Sequence, residues 1–341
     1  MTDTVRPVAA TTSLAVPAQD PVGMCSAGEG GRFQDCESGT YHWVIREGGR
    51  GAEIGSVDAT VTVRETLNPT STEWDATVGV NFLSMTGVAA SGTTATINAE
   101  CHGDCSAPAT APVAGRPVQQ GSTIAEPVHF TSTPLIHGVG TGRQTINMIL
   151  TNPAAPTTIG STAGDPRTEL GPVRCDDTLV DDNDQKQPAG CVTLALPTMV
   201  YSKARTPNIA RHIELAQGSG LPGKSAAAPL SRNSNQTLKR ANGSLACPAG
   251  KLPAKPAFSC DEYPFRSTQQ GLAFPGPQQR RSFDGCSFDA AFALPRMTGP
   301  GGVSVCMVPA KEQTSQGGTV SGFYSKYRLL DGDKFLVAVA P

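Results

Sequence analysis

The stretch Ser56-Val-Asp-Ala-Thr-Val-Thr-Val-Arg64 alternates apolar and polar side chains and is rich in valine and threonine. Such alternation is typical of a β-strand that buries one face. The pattern recurs, separated by turn-rich segments such as Thr151-Asn-Pro-Ala-Ala-Pro156, at residues 74–85, 93–97, 144–150 and 191–196. Several short strands at this spacing predict an antiparallel, sandwich-like all-β domain over residues 1–199.

The composition of the whole chain narrows the class of protein further. The 341 residues include 37 glycines and 28 prolines, which would break the helices of a coiled coil or a helical bundle. No apolar run reaches the roughly 18 residues that a membrane-spanning helix needs. We therefore expect a strand-rich and loop-rich protein that is not integral to a membrane.

The ten cysteines predict the compartment. No pair has Cys-x-x-Cys spacing, so disulfides are favoured over a zinc site, and disulfides indicate an oxidising environment. The first residues, Met1–Arg6, lack the apolar core of a signal peptide, so we expect the mature form of a secreted, extracellular protein. Pairing each cysteine with its neighbour in sequence predicts five bridges: Cys25 with Cys36, Cys101 with Cys105, Cys175 with Cys191, Cys247 with Cys260, and Cys286 with Cys306.

The net charge of −2 conceals two halves of opposite charge. Residues 1–199 carry a net charge of −11 and residues 200–341 a net charge of +9. A basic domain is suited to a polyanion such as nucleic acid, although a basic surface can equally complement the acidic half. We therefore predict two domains, 1–199 and 200–341, and consider that the acidic one docks on the basic one as a mimic of DNA or a pro-region.

Two motifs in the acidic half could hold a metal. The run from Asp176 to Asp184 offers clustered carboxylates for calcium, but it lacks the spacing and the glycine of an EF-hand, and a solvated loop is favoured. The motif Cys101-His-Gly-Asp-Cys105 is interpreted as a tight disulfide loop in which His102 has no special role. No catalytic pattern is visible in residues 1–199.

The basic half predicts a compact α+β unit. Thr206 as cap and Pro207 at the first position indicate a helix over 207–216, and a second short helix is expected over 236–242. Residues 302–308 form a predicted strand. After Gly317-Gly318, Val320, Phe323, Tyr324 and Tyr327 recur with the spacing of a helix face, and residues 335–339 predict a final strand.

The densest candidate for chemistry is Cys260-Asp-Glu-Tyr-Pro-Phe265. Adjacent carboxylates in an extended chain point in opposite directions, so Asp261 and Glu262 can serve different roles, although taken alone they resemble a solvated pair at a turn. The basic half contains one histidine, His212, whose place within a helix predicts a buried or helix-face residue. A hydrolase here would therefore use Asp261 or Glu262 as its base. Four arginines are candidates for phosphate contacts: Arg232, Arg266, Arg280 and Arg281.

Residues 205–341 resemble the NucA/NucB family of secreted deoxyribonucleases, most of all its disulfide-bearing actinobacterial members. The resemblance rests on many short motifs and single residues. They are Ala210-Arg-His-Ile213, Ala216-Gln217, Ser219-Gly-Leu-Pro-Gly223, Asn242, Ala246-Cys-Pro248, Cys260-Asp-Glu-Tyr-Pro-Phe265, Ser282-Phe-Asp-Gly-Cys286, Gly301-Gly-Val-Ser-Val-Cys-Met307, Glu312, Gln316-Gly-Gly318, Phe323-Tyr324 and Arg328-Leu-Leu-Asp-Gly-Asp333.

The resemblance implies a small metal-dependent endonuclease related to the ββα-metal nucleases. Asp261 would be the general base, Glu312 with the following Gln313 would bind Mg or Mn, and Glu262 would support either role. Relatives often carry Asn at the position of Gln313, and many carry His at the position of Ser231 and Arg at that of Gly243. These departures keep open a non-catalytic extracellular DNA-binding or polyanion-binding protein. An exported nuclease toxin with an immunity partner is a further alternative.

Overall fold

The computed structural model describes residues 22–26, 29–49, 51–133, 138–154, 160–161, 167–181, 185–249, 257–276, 279–286 and 297–341. Within these residues the chain is mostly β, and its α-helices all lie beyond residue 206. None of those helices is long and apolar enough to cross a membrane. The acidic run at residues 176–184 is expected to be a solvated loop, and residues 182–184 of that run lie outside the described ranges.

The N-terminal part consists of two antiparallel six-stranded sheets. In the first sheet the strand order is β5-β7-β3-β2-β1-β9, and in the second it is β12-β11-β8-β4-β6, with β10 also paired to β8. The strands are β1 (Gln34–Arg46), β2 (Glu53–Thr66), β3 (Glu73–Gly87), β4 (Thr94–Gly103), β5 (Cys105–Ser106), β6 (Val113–Pro117), β7 (Thr123–Ser132), β8 (Val139–Thr151), β9 (Gly160–Ser161), β10 (Arg167–Glu169), β11 (Val173–Asp176) and β12 (Gly190–Thr193).

One hydrophobic core joins these two sheets. Trp43, Val61 and Phe82 from the first sheet are buried in the same cluster as Ile97 and Ile146 from the second. The alternation noted at residues 56–64 is the cause, since in β2 the residues of one face pack into this core. The predicted sandwich of β-strands is therefore present, and each of the five predicted strands overlaps an observed one.

The C-terminal part contains two three-stranded sheets, ordered β13-β18-β14 and β15-β17-β16. Strand β13 starts just before the predicted domain boundary and pairs in parallel with the last strand, β18. The elements are β13 (Thr198–Ser202), α1 (Pro207–Gly218), β14 (Leu230–Ser231), α2 (Gln236–Ala246), β15 (Phe258–Tyr263), β16 (Arg280–Arg281), β17 (Val303–Pro309), α3 (Ala310–Lys326) and β18 (Lys334–Ala340).

The predicted helices and strands of this part are confirmed, with two corrections. Helix α3 begins at Ala310, so Gly317 and Gly318 lie inside it and do not precede it. Thr206 precedes α1 as expected, but its side chain makes no capping bond, because its hydroxyl donates to Ser202 O. A carboxylate from α3 takes over the capping.

Five disulfides join neighbouring cysteines in the pattern that the sequence predicted. One of them connects residues that bear directly on the site. Cys247, which follows α2, is bonded to Cys260 of β15. The bridge therefore fixes the end of one helix to the strand that carries Asp261 and Glu262.

Candidate functional site

A cavity of about 680 Å³ opens between α2, β15 and α3. Asp261 and Glu262 line it from β15, and the residues just after that strand extend the lining through Arg266. Strand β15 is antiparallel to β17, which runs directly into α3, so strand pairing fixes one wall of the cavity relative to another. Every described residue that lines it lies between 236 and 320. The acidic N-terminal part therefore contributes none of the described lining.

Asp261 is buried, and its two carboxylate oxygens have different surroundings. Oδ2 accepts a hydrogen bond from Nδ1 of His212 at 2.6 Å, and both side chains are almost completely inaccessible to solvent. Oδ1 is buried and has no hydrogen-bond partner among the described residues. A buried carboxylate oxygen without a partner is costly, so Oδ1 is suited to accept a hydrogen bond or bind a cation.

His212 is a site residue that the sequence interpretation did not select. It lies on the buried face of α1 with Ile209, Ile213 and Ala216. The expectation of a buried histidine is correct, but the contact with Asp261 joins residues 49 positions apart. A histidine on an otherwise apolar helix face was the available signal, because a buried imidazole needs polar partners.

Ser304 of β17 completes this row of hydrogen bonds. Its Oγ lies 2.9 Å from His212 Nε2 and 3.2 Å from the carbonyl oxygen of Tyr263. The hydroxyl has a single hydrogen. If that hydrogen goes to Nε2, Nε2 accepts; if it goes to Tyr263 O, Nε2 donates. In both arrangements the contact with Nδ1 holds Asp261 Oδ2, so the orientation of the carboxylate is the same.

Glu262 points to the other side of β15, as expected for neighbouring residues of a strand. Its Oε2 lies 3.3 Å from Sγ of Cys247 at the end of α2. Burial, reinforced by the charge of Asp261, raises the pKa of Glu262 to about 7, while Arg266 acts in the opposite direction. Glu262 is therefore close to half-protonated at neutral pH, unlike an ordinary surface glutamate.

Basic side chains line the same cavity. Lys239 and Arg240 come from α2, and Arg266 follows β15. Arg240 and Arg266 are exposed, so their guanidinium groups can reach a ligand that enters from solvent. Of the four arginines considered from the sequence, Arg266 is the one that the structure brings to this cavity.

The other three arginines have structural partners elsewhere. Arg281 is 1% exposed and donates to the carbonyl oxygens of Ser219, Gly299 and Gly301. Arg232 is buried, donates to carbonyl oxygens of Leu329 and Val180, and lies over the ring of Tyr324. Arg280 donates to Ala246 O. These three arginines therefore hold loops and helix ends through backbone carbonyl oxygens. Phosphate contacts were expected of them instead.

The side chains of the two adjacent residues expected to bind metal, Glu312 and Gln313, lie in different surroundings. Both oxygens of Glu312 accept hydrogen bonds at the start of α1, from Nδ2 of Asn208 at 2.6 Å and from the backbone N–H groups of Asn208 and Ile209. Glu312 does not line the cavity. A carboxylate at a helix N-terminus is a stable cap, and this cap takes the place that Thr206 leaves. Gln313 does line the cavity, and its Oε1 is buried with no partner among the described residues.

Oxygen atoms for a divalent cation are thus available at this cavity. Asp261 Oδ1 and Gln313 Oε1 are both without partners in the described part of the chain, and Glu262 supplies a further carboxylate. Carboxylate and amide oxygens are the donors that Mg²⁺ and Mn²⁺ prefer. These oxygens therefore have the chemistry that such an ion prefers, and Glu312 is not among them.

Comparison with known proteins agrees with the motifs of the basic half. A search of curated proteins finds no match to the chain. The family-model match leaves residues 1–222, and with them α1 and His212, outside its range. Residues 223–338 match the family described as deoxyribonuclease NucA/NucB, which confirms the resemblance of the C-terminal part of this chain to NucA/NucB nucleases.

Proposed function

We propose that the protein is a secreted, metal-dependent endonuclease that hydrolyses DNA phosphodiester bonds with low sequence specificity, and that Asp261 is its general base. The family match over residues 223–338 implies a deoxyribonuclease. The observation that supports the base is the buried Oδ1 of Asp261, which has no partner in the described structure and lies at a cavity lined by basic side chains. The five disulfides support an oxidising, extracellular environment.

In the proposed mechanism a water molecule lies against Asp261 Oδ1 and transfers a proton to it as the oxygen attacks phosphorus. His212 holds the carboxylate through Oδ2, and Oδ1 has no partner among the described residues. Arg240 and Arg266 attract the DNA phosphates and offset the charge that develops at phosphorus. None of these contacts reads a base, which is consistent with low sequence specificity.

A divalent cation has a natural place in this scheme. Gln313 Oε1 and the carboxylate of Glu262 would hold it, and Gln313 thereby keeps the metal-binding role expected from the sequence. Bound there, Mg or Mn would neutralise the scissile phosphate and stabilise the leaving oxygen. The ββα relationship is also part of this proposal. It is supported by the order of β15, the antiparallel β17 and the directly following α3.

Plasmid cleavage tests the proposal. The purified, oxidised protein is incubated with supercoiled DNA in Mg, in Mn and in EDTA, and the nicking rate is compared with that of Asp261→Asn. The variant keeps an oxygen that can accept from His212 but removes the base, so we expect the rate to fall by about 100- to 10,000-fold. Glu214→Gln is the matched control, because Glu214 is an exposed carboxylate on α1 that pairs with Lys203.

Three results would contradict the proposal in different ways. Equal nicking by Asp261→Asn and the unmodified protein would exclude Asp261 as the base. Full activity in EDTA would exclude the metal. DNA binding without cleavage in either metal would instead support the alternative of an extracellular DNA-binding protein.

A further inference from the structure

The turn between α3 and β18, residues 327–333, is held by side chains of the N-terminal sandwich. Arg32 donates to Tyr327 O at 3.0 Å and to Asp333 Oδ2 at 3.1 Å. Arg174 donates to the same Asp333 oxygen and to Arg328 O. Both arginine side chains are almost fully buried, and the side chain of Asp333 is 23% exposed. The N-terminal part therefore places two buried cations against this turn, and Arg174 also lies 3.7 Å from Asp176.

The turn itself extends a side chain, that of Arg328, into the sandwich. Its backbone is in the left-handed region, with φ of 47°, and its side chain is 1% exposed. Nε and Nη2 donate to the carboxylate of Asp176 at 3.1 and 2.5 Å, and Nη2 also donates to Asp176 O. Nη1 donates to the carbonyl oxygens of Pro69 and Pro188, both at 2.7 Å. All five N–H donors of the guanidinium thus have acceptors, and every acceptor belongs to the sandwich.

Asp176 is therefore not part of a solvated loop, contrary to the expectation for the acidic run. Its side chain is completely buried and paired with Arg328. Removing one member of a buried, fully bonded ion pair leaves the other charge without compensation, which is strongly destabilising. The contact is consequently a firm attachment between the sandwich and the turn.

The opposite side of the same turn fixes the start of α2. The backbone of Arg232 pairs with the turn through Asp333 O and Gly332 N, both at 2.8 Å. Asp331 Oδ1 accepts from the backbone N–H of Ser234 at 2.7 Å. The next residue, Asn235, caps α2 by accepting from the N–H groups of Thr237 and Leu238. Helix α2 then presents Lys239 and Arg240 to the cavity.

We propose that the N-terminal sandwich is a brace that positions α2, and hence the basic wall of the DNA-binding cavity, through the turn at residues 327–333. The functional half of this inference rests on the proposed nuclease activity. Among the described residues, the sandwich approaches the cavity through the turn, through the segment preceding α2, and at residues 178–181, which share a small pocket with Gln236 and Lys239 of α2. None of these contacts is with Asp261, so we expect the sandwich to act on binding of DNA and not on the base. It also makes the two parts of the chain unfold together.

The test uses full-length Asp176→Ala, with Asp176→Asn as a milder, nearly isosteric variant. The control is Asp58→Asn, which removes a half-exposed carboxylate that pairs with His42 inside the sandwich. Scanning calorimetry is expected to show one transition for the unmodified protein and the control. We expect two separated transitions for Asp176→Ala. For Asp176→Asn we expect the single transition to broaden or divide in the same way.

Binding of a fluorescent duplex oligonucleotide in EDTA, measured by anisotropy, reports on α2. We expect Kd to rise by about 2- to 30-fold in the Asp176 variants, the range usual for residues that act through intervening contacts. An unchanged Kd despite separated transitions would overturn the link to α2, and a single unshifted transition in both variants would overturn the brace itself. Failure of the unmodified protein to bind or cleave DNA would refute the proposed nuclease, whereas the calorimetric result would still decide whether the two parts are coupled.

Discussion

The contact between His212 and Asp261 can be tested by removing the imidazole. In His212→Ala, Asp261 Oδ2 loses its partner while Oδ1 already has none among the described residues, and the carboxylate stays buried. Leaving a buried carboxylate without a partner in this way costs about 3–5 kcal/mol of unfolding free energy. Asp261→Asn should cost about 1 kcal/mol, because the amide oxygen still accepts from His212 Nδ1–H.

The two changes should not be additive. When residue 261 is already Asn, loss of the imidazole leaves a neutral amide unpaired, which costs about 1–3 kcal/mol. The double variant is therefore expected to be about 2 kcal/mol more stable than the sum of the single effects predicts. Urea unfolding of all four proteins, followed by circular dichroism in EDTA, measures this coupling.

The same four proteins separate a positioning role from a purely structural one. His212→Ala should lower kcat for plasmid nicking at temperatures where circular dichroism shows it folded, with KM nearly unchanged, because in the proposed mechanism DNA is bound by other side chains. Additive stability effects, or a kcat equal to that of the unmodified protein, would refute the argument that His212 orients the base.

Two further outcomes are expected in other parts of the chain. Glu65 is buried beneath Trp74, whose Nε1–H it accepts at 2.7 Å, and burial raises its pKa to about 8 from an ordinary 4.5. The folded state therefore holds this proton more tightly than the unfolded state, so the contribution of Glu65 to stability is fully present below pH 4.5 and is lost, by up to about 5 kcal/mol, as pH rises from 4.5 through 8. Glu65→Gln should remove this decline, and urea unfolding at pH 5 and pH 9 would show it; an equally steep decline in the variant would contradict the assignment. Gly243 lies inside α2, where an added Cβ would make only ordinary contacts with Arg266 and Glu262. Gly243→Ala should raise the melting temperature by stabilising the helix by about 1 kcal/mol, and a decrease would show that the cavity wall is more tightly packed there.

Local patterns in the sequence were sufficient to predict most of the helices and strands and the pairing of the cysteines. Alternation predicted the strand at 56–64 because the apolar face of β2 packs into the core between the two sheets, and neighbouring cysteines paired because each bridge closes a short loop. The start of α3 was missed because Gly317 and Gly318 indicated a break. Tertiary packing of Gln316 and Val320 on the inner face outweighs that weak local preference.

The site was predictable only where its residues are adjacent in sequence. Asp261 and Glu262 were found because they share one motif, and Arg266 because it follows them. The partner of Asp261 comes from α1, and no local pattern connects positions 212 and 261. Glu312 was selected for its motif, but the fold turns its carboxylate toward the start of α1, a choice that depends on how two helices approach each other.

The bridge between Cys247 and Cys260 gives the site a dependence on its chemical surroundings. It ties the end of α2, with its basic side chains, to the strand that bears Asp261, so two walls of the cavity are covalently joined. In a reducing cytoplasm those thiols would stay unlinked, and the walls would lack this connection. For the secreted nuclease proposed above, the producing cell would then hold its DNA beside a cleft that lacks this bridge, and the bridge would form only on departure from the compartment that contains the producer's own genome.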